Sequence, residues 1–180
     1  RTYRNERLIW ILTGGVTFLL LAVLFSPPIN GTRRWFGIAG FGIQPSELAK
    51  LVAILFCALM LERRMAKVNE IKSVLLPIGI IVGGLVGLIL LEPDFGTAVS
   101  LLAVVGSLIF AAGLSYRYLA AVVLMGVPIL YIVLMQAPYR VKRLLAFLDP
   151  WADPLGAGFQ IIQSLIAVGT GGLVGKGLMA

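Results

Sequence analysis

Long apolar blocks alternate with short polar breaks along this chain. The blocks run over residues 8–25, 45–61, 74–91, 97–114 and 118–136. Each holds about 17–20 residues, which at a rise of 1.5 Å per residue matches a hydrocarbon core roughly 30 Å thick. Lipid offers backbone N–H and C=O groups no partners, so blocks of this kind are expected as helices. The expectation is an all-α polytopic membrane protein with about five transmembrane helices. The breaks are a loop over residues 26–44, with Pro27, Pro28, Gly31, Gly37, Gly40 and Gly42, a charged turn from Glu62 to Lys72, and a tight connection over 92–96. Gly79, Gly83 and Gly87 recur every four residues on one face of the third helix, the small-xxx-small pattern of close helix packing.

The last stretch, 137–180, reads differently. Val141, Leu144, Leu145 and Leu148 fall at i, i+3, i+4 and i+7, with Arg140, Lys142 and Arg143 off that face. This predicts a short amphipathic helix lying in the interface. Asp149-Pro150 and Asp153-Pro154 are turn and helix-start signals. Phe159, Ile162, Leu165 and Ile166 against Gln160, Gln163 and Ser164 predict a second amphipathic helix, followed by a glycine-rich break from Gly169 to Gly177.

Composition sharpens the membrane reading. The chain has 180 residues, 59% hydrophobic and 13% charged, with mean hydropathy +1.00. Soluble domains carry about 25% charged residues. The net charge of +7 is first a matter of topology and then of anionic headgroups. Nucleic acid is not expected, since no aromatic and basic face remains outside the blocks. With the N-terminus in the cytoplasm, Arg1, Arg4, Arg7, Arg63, Arg64, Lys67, Lys72 and Arg117 face inside. Arg33, Arg34, Arg140, Lys142, Arg143 and Lys176 then face outside, and Lys50 lies within a helix. The inside majority sets this orientation, which makes 26–44, 92–96 and 137–180 extracytoplasmic loops; the outside cations leave room for an anionic ligand there. Cys57 is the one cysteine, so no disulfide forms within the chain, and the absence of histidine excludes Ser-His-Asp and Cys-His catalysis. The abrupt start and the end at Ala180 read as a piece of a longer protein.

Four polar clusters interrupt the apolar text. In Asn30 to Phe36, the adjacent Arg33 and Arg34 can grip phosphate with bidentate forks, while Trp35 also suits an interfacial anchor. In Gln44 to Lys50, Pro45 suits the first helical turn and Glu47 its positive dipole end. Glu47 and Lys50 share a face at i,i+3. Lysine within a span costs about 2.5–3.5 kcal/mol on insertion scales, which marks the pair as functional. In Glu92 to Thr97, two close carboxylates could do acid–base work or hold a cation, but on spacing alone a turn capped by Asp94 or Thr97, with Gly96 for the bend, is the better reading. In the fourth cluster, Asp149 and Asp153 precede prolines and read as turn or cap residues.

Taken in series, Asn30–Trp35, Gln44–Leu51, Glu92–Thr97 and the run from Tyr139 to Leu178 resemble the SEDS proteins (shape, elongation, division and sporulation; FtsW, RodA and SpoVE) over essentially the whole chain. The segments Phe147–Pro154 and Gln163–Ala167 are more similar to the division members, FtsW, than to the elongation members, RodA. The resemblance implies a ten-helix fold in a bacterial cytoplasmic (inner) membrane, of which this chain would supply the third to seventh helices. It implies a peptidoglycan glycosyltransferase that polymerises lipid II, the undecaprenyl-diphosphate-linked substrate, during septal wall synthesis. The expected partners are a class B penicillin-binding protein transpeptidase, other divisome proteins and membrane lipids. The family's catalytic aspartate would lie beyond Ala180, so this segment alone is expected to be inactive.

Carried over position by position, Glu47 and Lys50 match the family's central cavity, and Lys50 would serve the diphosphate or orient the downstream aspartate. Arg33, Arg34, Arg140 and Arg143 are candidates for the diphosphate or for peptide-stem carboxylates. Gln44, Trp35, Asp94 and Gln163 complete the candidate substrate-binding set. No resident metal or other cofactor is demanded, though a divalent cation, Mg or Mn, could help neutralise the diphosphate. The alternatives are a lipid II flippase, which broken helices and intramembrane charges also fit, and a non-catalytic scaffold that recruits the transpeptidase through the glycine face and the outer loop.

Overall fold

The computed structural model describes residues 5–27, 33–38, 41–136, 138–172 and 175, with the backbone alone at 38, 41, 130, 133 and 140. It divides into two compact units, Arg1–Ala120 and Ala121–Ala180.

The first unit is built on four helices. Helix α1 spans Glu6–Val23 and is capped by Asn5, whose side chain accepts from the Arg7 N–H at 3.1 Å. A two-stranded antiparallel hairpin follows, β1 (Phe36–Ile38) and β2 (Phe41–Ile43), with Gly37 opposite Gly42. Helix α2 runs Pro45–Arg64 and begins with proline, whose missing N–H is harmless in a first turn. A 3-10 turn (Met65–Lys67) and a π turn (Ile71–Leu75) lead into α3, Leu76–Leu91. The π turn sits where Pro77 has no N–H to offer the Ser73 carbonyl one turn back, and that carbonyl accepts from Arg64 instead. Helix α4, Phe95–Ala111, starts two residues later than the Pro93 turn.

Each helix buries one face. On α1 it is Ile9, Thr13, Val16, Leu20 and Val23. On α3 it is Ile78, Val82, Leu85 and Ile89, and on α4 Ala98, Leu101 and Val105. Helix α2 is central, packing on α1 and on α4. Its buried Ala49, Ala53 and Cys57 recur every four residues, and small side chains in that register let neighbouring backbones approach closely. Thr13 disposes of its hydroxyl on the Ile9 carbonyl at 2.8 Å, as a hydroxyl away from water must.

The opposite faces are covered with exposed apolar side chains, among them Ile11, Phe18, Ile80 and Leu102. Patches of that extent suit lipid rather than water. Helices over Glu6–Val23 and Ile71–Leu91 are long and apolar enough to cross a membrane; α4 has 17 residues, and α2 carries charges at both ends. Helix α5, Tyr116–Met135, contains Pro128 and is exposed along most of its length.

The second unit holds α6 (Pro138–Leu148), a 3-10 turn (Pro150–Ala152) and α7 (Phe159–Gly171). Leu144, Leu145 and Leu148 of α6 are exposed, an apolar stripe of the amphipathic kind the spacing predicts. Asp149 accepts from Trp151 N–H, and Asp153 accepts from Gly156 and Ala157 N–H, each at 3.1 Å. Both aspartates are therefore turn caps, as expected. Gly158 opens α7 where the chain passes so close to the Pro150 carbonyl that a Cβ would collide with it.

Three expectations need correction. The segment 26–44 is not wholly irregular, because its FGI repeat pairs into the hairpin. Gly79, Gly83 and Gly87 do not pack closely: each is exposed with no atom within 4 Å of an added Cβ among the described residues, since α3 turns its isoleucine–valine–leucine face inward. The predicted break at Gly169 comes later. Helix α7 continues through it, with Thr170 Oγ1 donating to the Ile166 carbonyl at 2.7 Å, and stops at Gly172, where φ is +57°. The rest of the glycine-rich segment, with Lys176, lies outside the described residues.

Candidate functional site: a buried polar cluster at the hairpin end

The end of α1, the hairpin, the start of α2 and the α3–α4 connection place four short polar segments at one end of the first unit. Asp94 is their centre. It is 7% exposed, and as the cap of α4 it accepts from Thr97 N–H at 3.2 Å and from Thr97 Oγ1 at 2.8 Å. Gln44, the residue before α2, donates its Nε2–H to Oδ2 at 2.7 Å, the same oxygen that accepts from Thr97 Oγ1. Arg34 approaches Oδ1 at 3.7 Å, as an ion pair rather than a direct hydrogen bond. Of the two caps the spacing allowed, the structure uses Asp94.

Glu92 lies two residues away and is completely buried. Among the described residues, neither of its side-chain oxygens has a hydrogen-bond partner. Burial, and secondarily the like charge of Asp94, push its pKa up to about 7, against the opposing pull of Arg34. A carboxyl at the negative end of α3 is further disfavoured in its ionised form by the helix dipole. The sequence offers Glu92 both as one of two close carboxylates for acid–base or cation chemistry and as part of a capped turn. The signal available was a glutamate closing an apolar helix beside a second carboxylate, though its burial is a tertiary fact. Among the described residues, Ser46 Oγ and Arg34 Nε are also buried without partners, so this end carries unspent hydrogen-bonding capacity.

Lys50 lies six residues into α2, about 9 Å along its axis from Gln44. Its Nζ sits 2.8 Å from Glu47 Oε2, and the two side chains are 26% and 56% exposed. The predicted i,i+3 pair is thus formed, with the lysine the better shielded partner. Arg33 donates to the Leu24 carbonyl at 3.1 Å, satisfying an orphan group at the end of α1. Trp35 lies over Gly42, where an added Cβ would come within 2.8 Å of the indole. Asn30, Gly31 and Thr32 lie outside the described residues.

The structure therefore brings Arg34, Gln44 and Asp94 into contact and pairs Glu47 with Lys50, while Arg33 and Trp35 serve local contacts. The remaining candidates belong to the second unit. Arg143 and Gln163 are exposed on α6 and α7, and the Arg140 side chain lies outside the described residues. Within that unit a cavity of about 440 Å³ is lined by Lys142, Leu145, Asp149 and Asp153 among others. Among the described residues there is no group of three or more histidine, cysteine, aspartate or glutamate side chains able to hold a metal ion. Both Asp94 oxygens are already engaged, so the cluster does not fit a resident divalent cation.

Comparison with known proteins gives consistent matches. The model of the FtsW/RodA/SpoVE family, described as "Cell cycle protein", matches residues 3–180. A "Probable peptidoglycan glycosyltransferase FtsW" of Geobacter sp. (strain M18) is 45% identical over 167 residues, covering 90% of this chain and 45% of the relative. Stage V sporulation protein E of Bacillus subtilis (strain 168) is 39% identical over 168 residues, covering 91% and 46%. Among solved structures, a chain of a peptidoglycan synthase complex that coordinates polymerization and crosslinking superposes with TM-score 0.70 at 38% identity, covering 92% of this chain and 49% of that one. The rod shape determining protein RodA of Thermus thermophilus gives TM-score 0.57 at 34% identity, covering 71% and 40%. The chain spans about half the length of the curated relatives it matches.

Proposed function

Because this chain belongs to the FtsW/RodA/SpoVE family of membrane proteins, we propose that it is the central segment of a peptidoglycan glycosyltransferase that polymerises lipid II during septal wall synthesis. The full-length protein would cross the bacterial inner membrane many times, five of its spans being α1 to α5, with the hairpin end of the first unit on the outer side. The observation that carries the reading is the half-buried Lys50 on α2, paired with the exposed Glu47 and set below a buried polar cluster at the same end of the helices. A cation held inside a span is costly, and an anionic substrate that must be gripped at the membrane surface accounts for that cost.

The reaction is an inverting glycosyl transfer. The acceptor 4-hydroxyl attacks the anomeric carbon of the donor, a carboxylate takes the hydroxyl proton, and the bond from the anomeric carbon to the lipid diphosphate breaks. The base would come from a residue beyond Ala180. Negative charge grows on the leaving diphosphate, so a preplaced cation lowers the barrier. Lys50 is assigned to that role, with Glu47 holding it in place. Arg34, Gln44 and Asp94 fix the entrance to α2, and with Arg33 and Trp35 they form the rim past which substrate reaches Lys50. Arg140, Arg143 and Gln163 are assigned to the substrate's peptide stem or second sugar. Any Mg or Mn would arrive with the diphosphate, since the described residues do not form a site of their own.

A class B penicillin-binding protein and other divisome proteins are the proposed partners. The similarity to a chain from a complex of polymerization and crosslinking supports a transpeptidase in particular. The test is incubation of the full-length protein, purified with that transpeptidase, with labelled lipid II. Glycan ladders on a gel support polymerisation. Headgroup translocation without polymer would instead identify a flippase.

A further inference from the structure

At the opposite end of the helices from the hairpin, α2 finishes in Arg63 and Arg64, and the chain re-enters an apolar helix at Ile71. Between these points lies a cavity of about 540 Å³, lined by Arg63, Arg64, Ala66, Lys67, Lys72 and Ser73. Among the described residues its lining holds four cations and no carboxylate, with Glu6 and Glu70 pairing two of the cations from outside it. Its volume falls within the roughly 300–1,000 Å³ range of small-ligand sites.

The cations are held in place by identifiable contacts. Arg63 is tied to Glu6 of α1 at 2.5 Å, and Lys67 pairs with Glu70 at 3.7 Å. Glu70 also accepts from Ser73 Oγ at 2.6 Å. Arg64 is anchored differently, on the Ser73 carbonyl that Pro77 leaves free. A neutral carbonyl positions the guanidinium without cancelling its charge. Basic residues at helix ends commonly do no more than set orientation; these are exposed as well, but they gather around one open depression and not along separate helix ends.

The face below the hollow is apolar. Lys72, Leu76 and Ile80 are spaced four apart along one helix face, with the cation at the rim and two exposed aliphatic side chains beneath it. A soluble anion would satisfy the cations and leave this stripe bare, whereas a phospholipid covers both. Basic pockets between membrane helices are established headgroup sites in physical terms, combining charge attraction with a shaped recess.

We propose that this cavity binds the phosphate headgroup of an anionic phospholipid, whose acyl chain runs along the Lys72–Leu76–Ile80 face. The test is native mass spectrometry of the full-length protein in detergent, titrated with phosphatidylglycerol or phosphatidylcholine. Replacing Arg64 and Lys72 by glutamine is expected to weaken phosphatidylglycerol binding about 30-fold, roughly fivefold per charge, and to leave phosphatidylcholine binding unchanged. Lys72→Gln alone leaves the Arg64 anchor intact and is expected to lose about fivefold, so the proposal stays testable if the double variant misfolds. Removing two cations elsewhere, Arg117→Gln with Lys142→Gln, is expected to change binding by less than about twofold, an effect below roughly 0.5 kcal/mol. Equal phosphatidylglycerol binding by wild type and the Arg64/Lys72 variant would overturn the site. An equal loss in the Arg117/Lys142 control would overturn its specificity, and displacement of the lipid by inorganic phosphate would show that the cavity serves a free anion.

Discussion

Replacing Glu92 by glutamine isolates the energetic consequence of burying a carboxyl beside Asp94. Glutamine keeps the shape and removes the ionisation. In the folded protein the Glu92 pKa stands at about 7, against a reference value of 4.5. The folded state therefore holds a proton that the unfolded chain has already released between these two values. Stability falls with rising pH wherever the native state binds more protons than the unfolded state, so the wild type loses stability as pH rises from about 4.5 to about 7. At about 1.4 kcal/mol per pKa unit, the loss amounts to roughly 3–4 kcal/mol and is complete a little above pH 7. The assay is thermal or denaturant unfolding of the full-length protein in a neutral detergent, at half-unit steps from pH 4.5 to 8.5. The wild-type curve should decline across that window and then flatten, and the Glu92→Gln curve should lack this component. The difference between the two should grow with pH in favour of glutamine. Parallel curves over the whole range would refute the reasoning and mean that Glu92 ionises freely.

Two other substitutions probe how the site is held. Asp94→Ala removes the α4 cap together with the partner of Gln44 and Arg34, and should cost about 2–4 kcal/mol, measured as a lowered unfolding midpoint; Asp94→Asn, which keeps an acceptor for Thr97, should recover about 1 kcal/mol of this. Gly158→Ala should destabilise the turn into α7 by more than the roughly 1 kcal/mol typical of surface glycine changes, because the Cβ would meet the Pro150 carbonyl. Hydrogen exchange of the α7 amides would report it, and unchanged protection would contradict the close approach.

Much of the fold was legible because its determinants are local. Pro45 marks the start of α2. The Glu47–Lys50 pair follows from i,i+3 spacing alone. The caps at Asp94, Asp149 and Asp153 are short-range devices written in consecutive residues. The hairpin was hidden because its strands are only three residues long, each with a central glycine, so the β-favouring Phe and Ile form too short a run for alternation to register. The Gln44–Asp94 contact joins residues fifty apart, so it depends on the packing of α2 against α4 and on no local pattern. Glu92 follows the same rule, since the motif places two carboxylates together and only the assembled helix ends decide which of them is bonded and which is buried bare. The glycine stripe on α3 failed for a related reason: spacing defines a face, and it does not say what covers it.

Lys50→Ala in a lipid II polymerisation assay tests the central claim most directly. The full-length protein, purified with its transpeptidase partner, would be given labelled lipid II, and wild type and variant compared for glycan ladders on a gel. With Lys50 beside the leaving diphosphate, the variant should lose about 100-fold or more in rate, the scale of removing one preplaced electrostatic stabiliser, while remaining folded and bound to its partner. A ladder of undiminished rate from Lys50→Ala would contradict the assignment of Lys50 to the site, and no ladder from the wild type would contradict the polymerase reading itself.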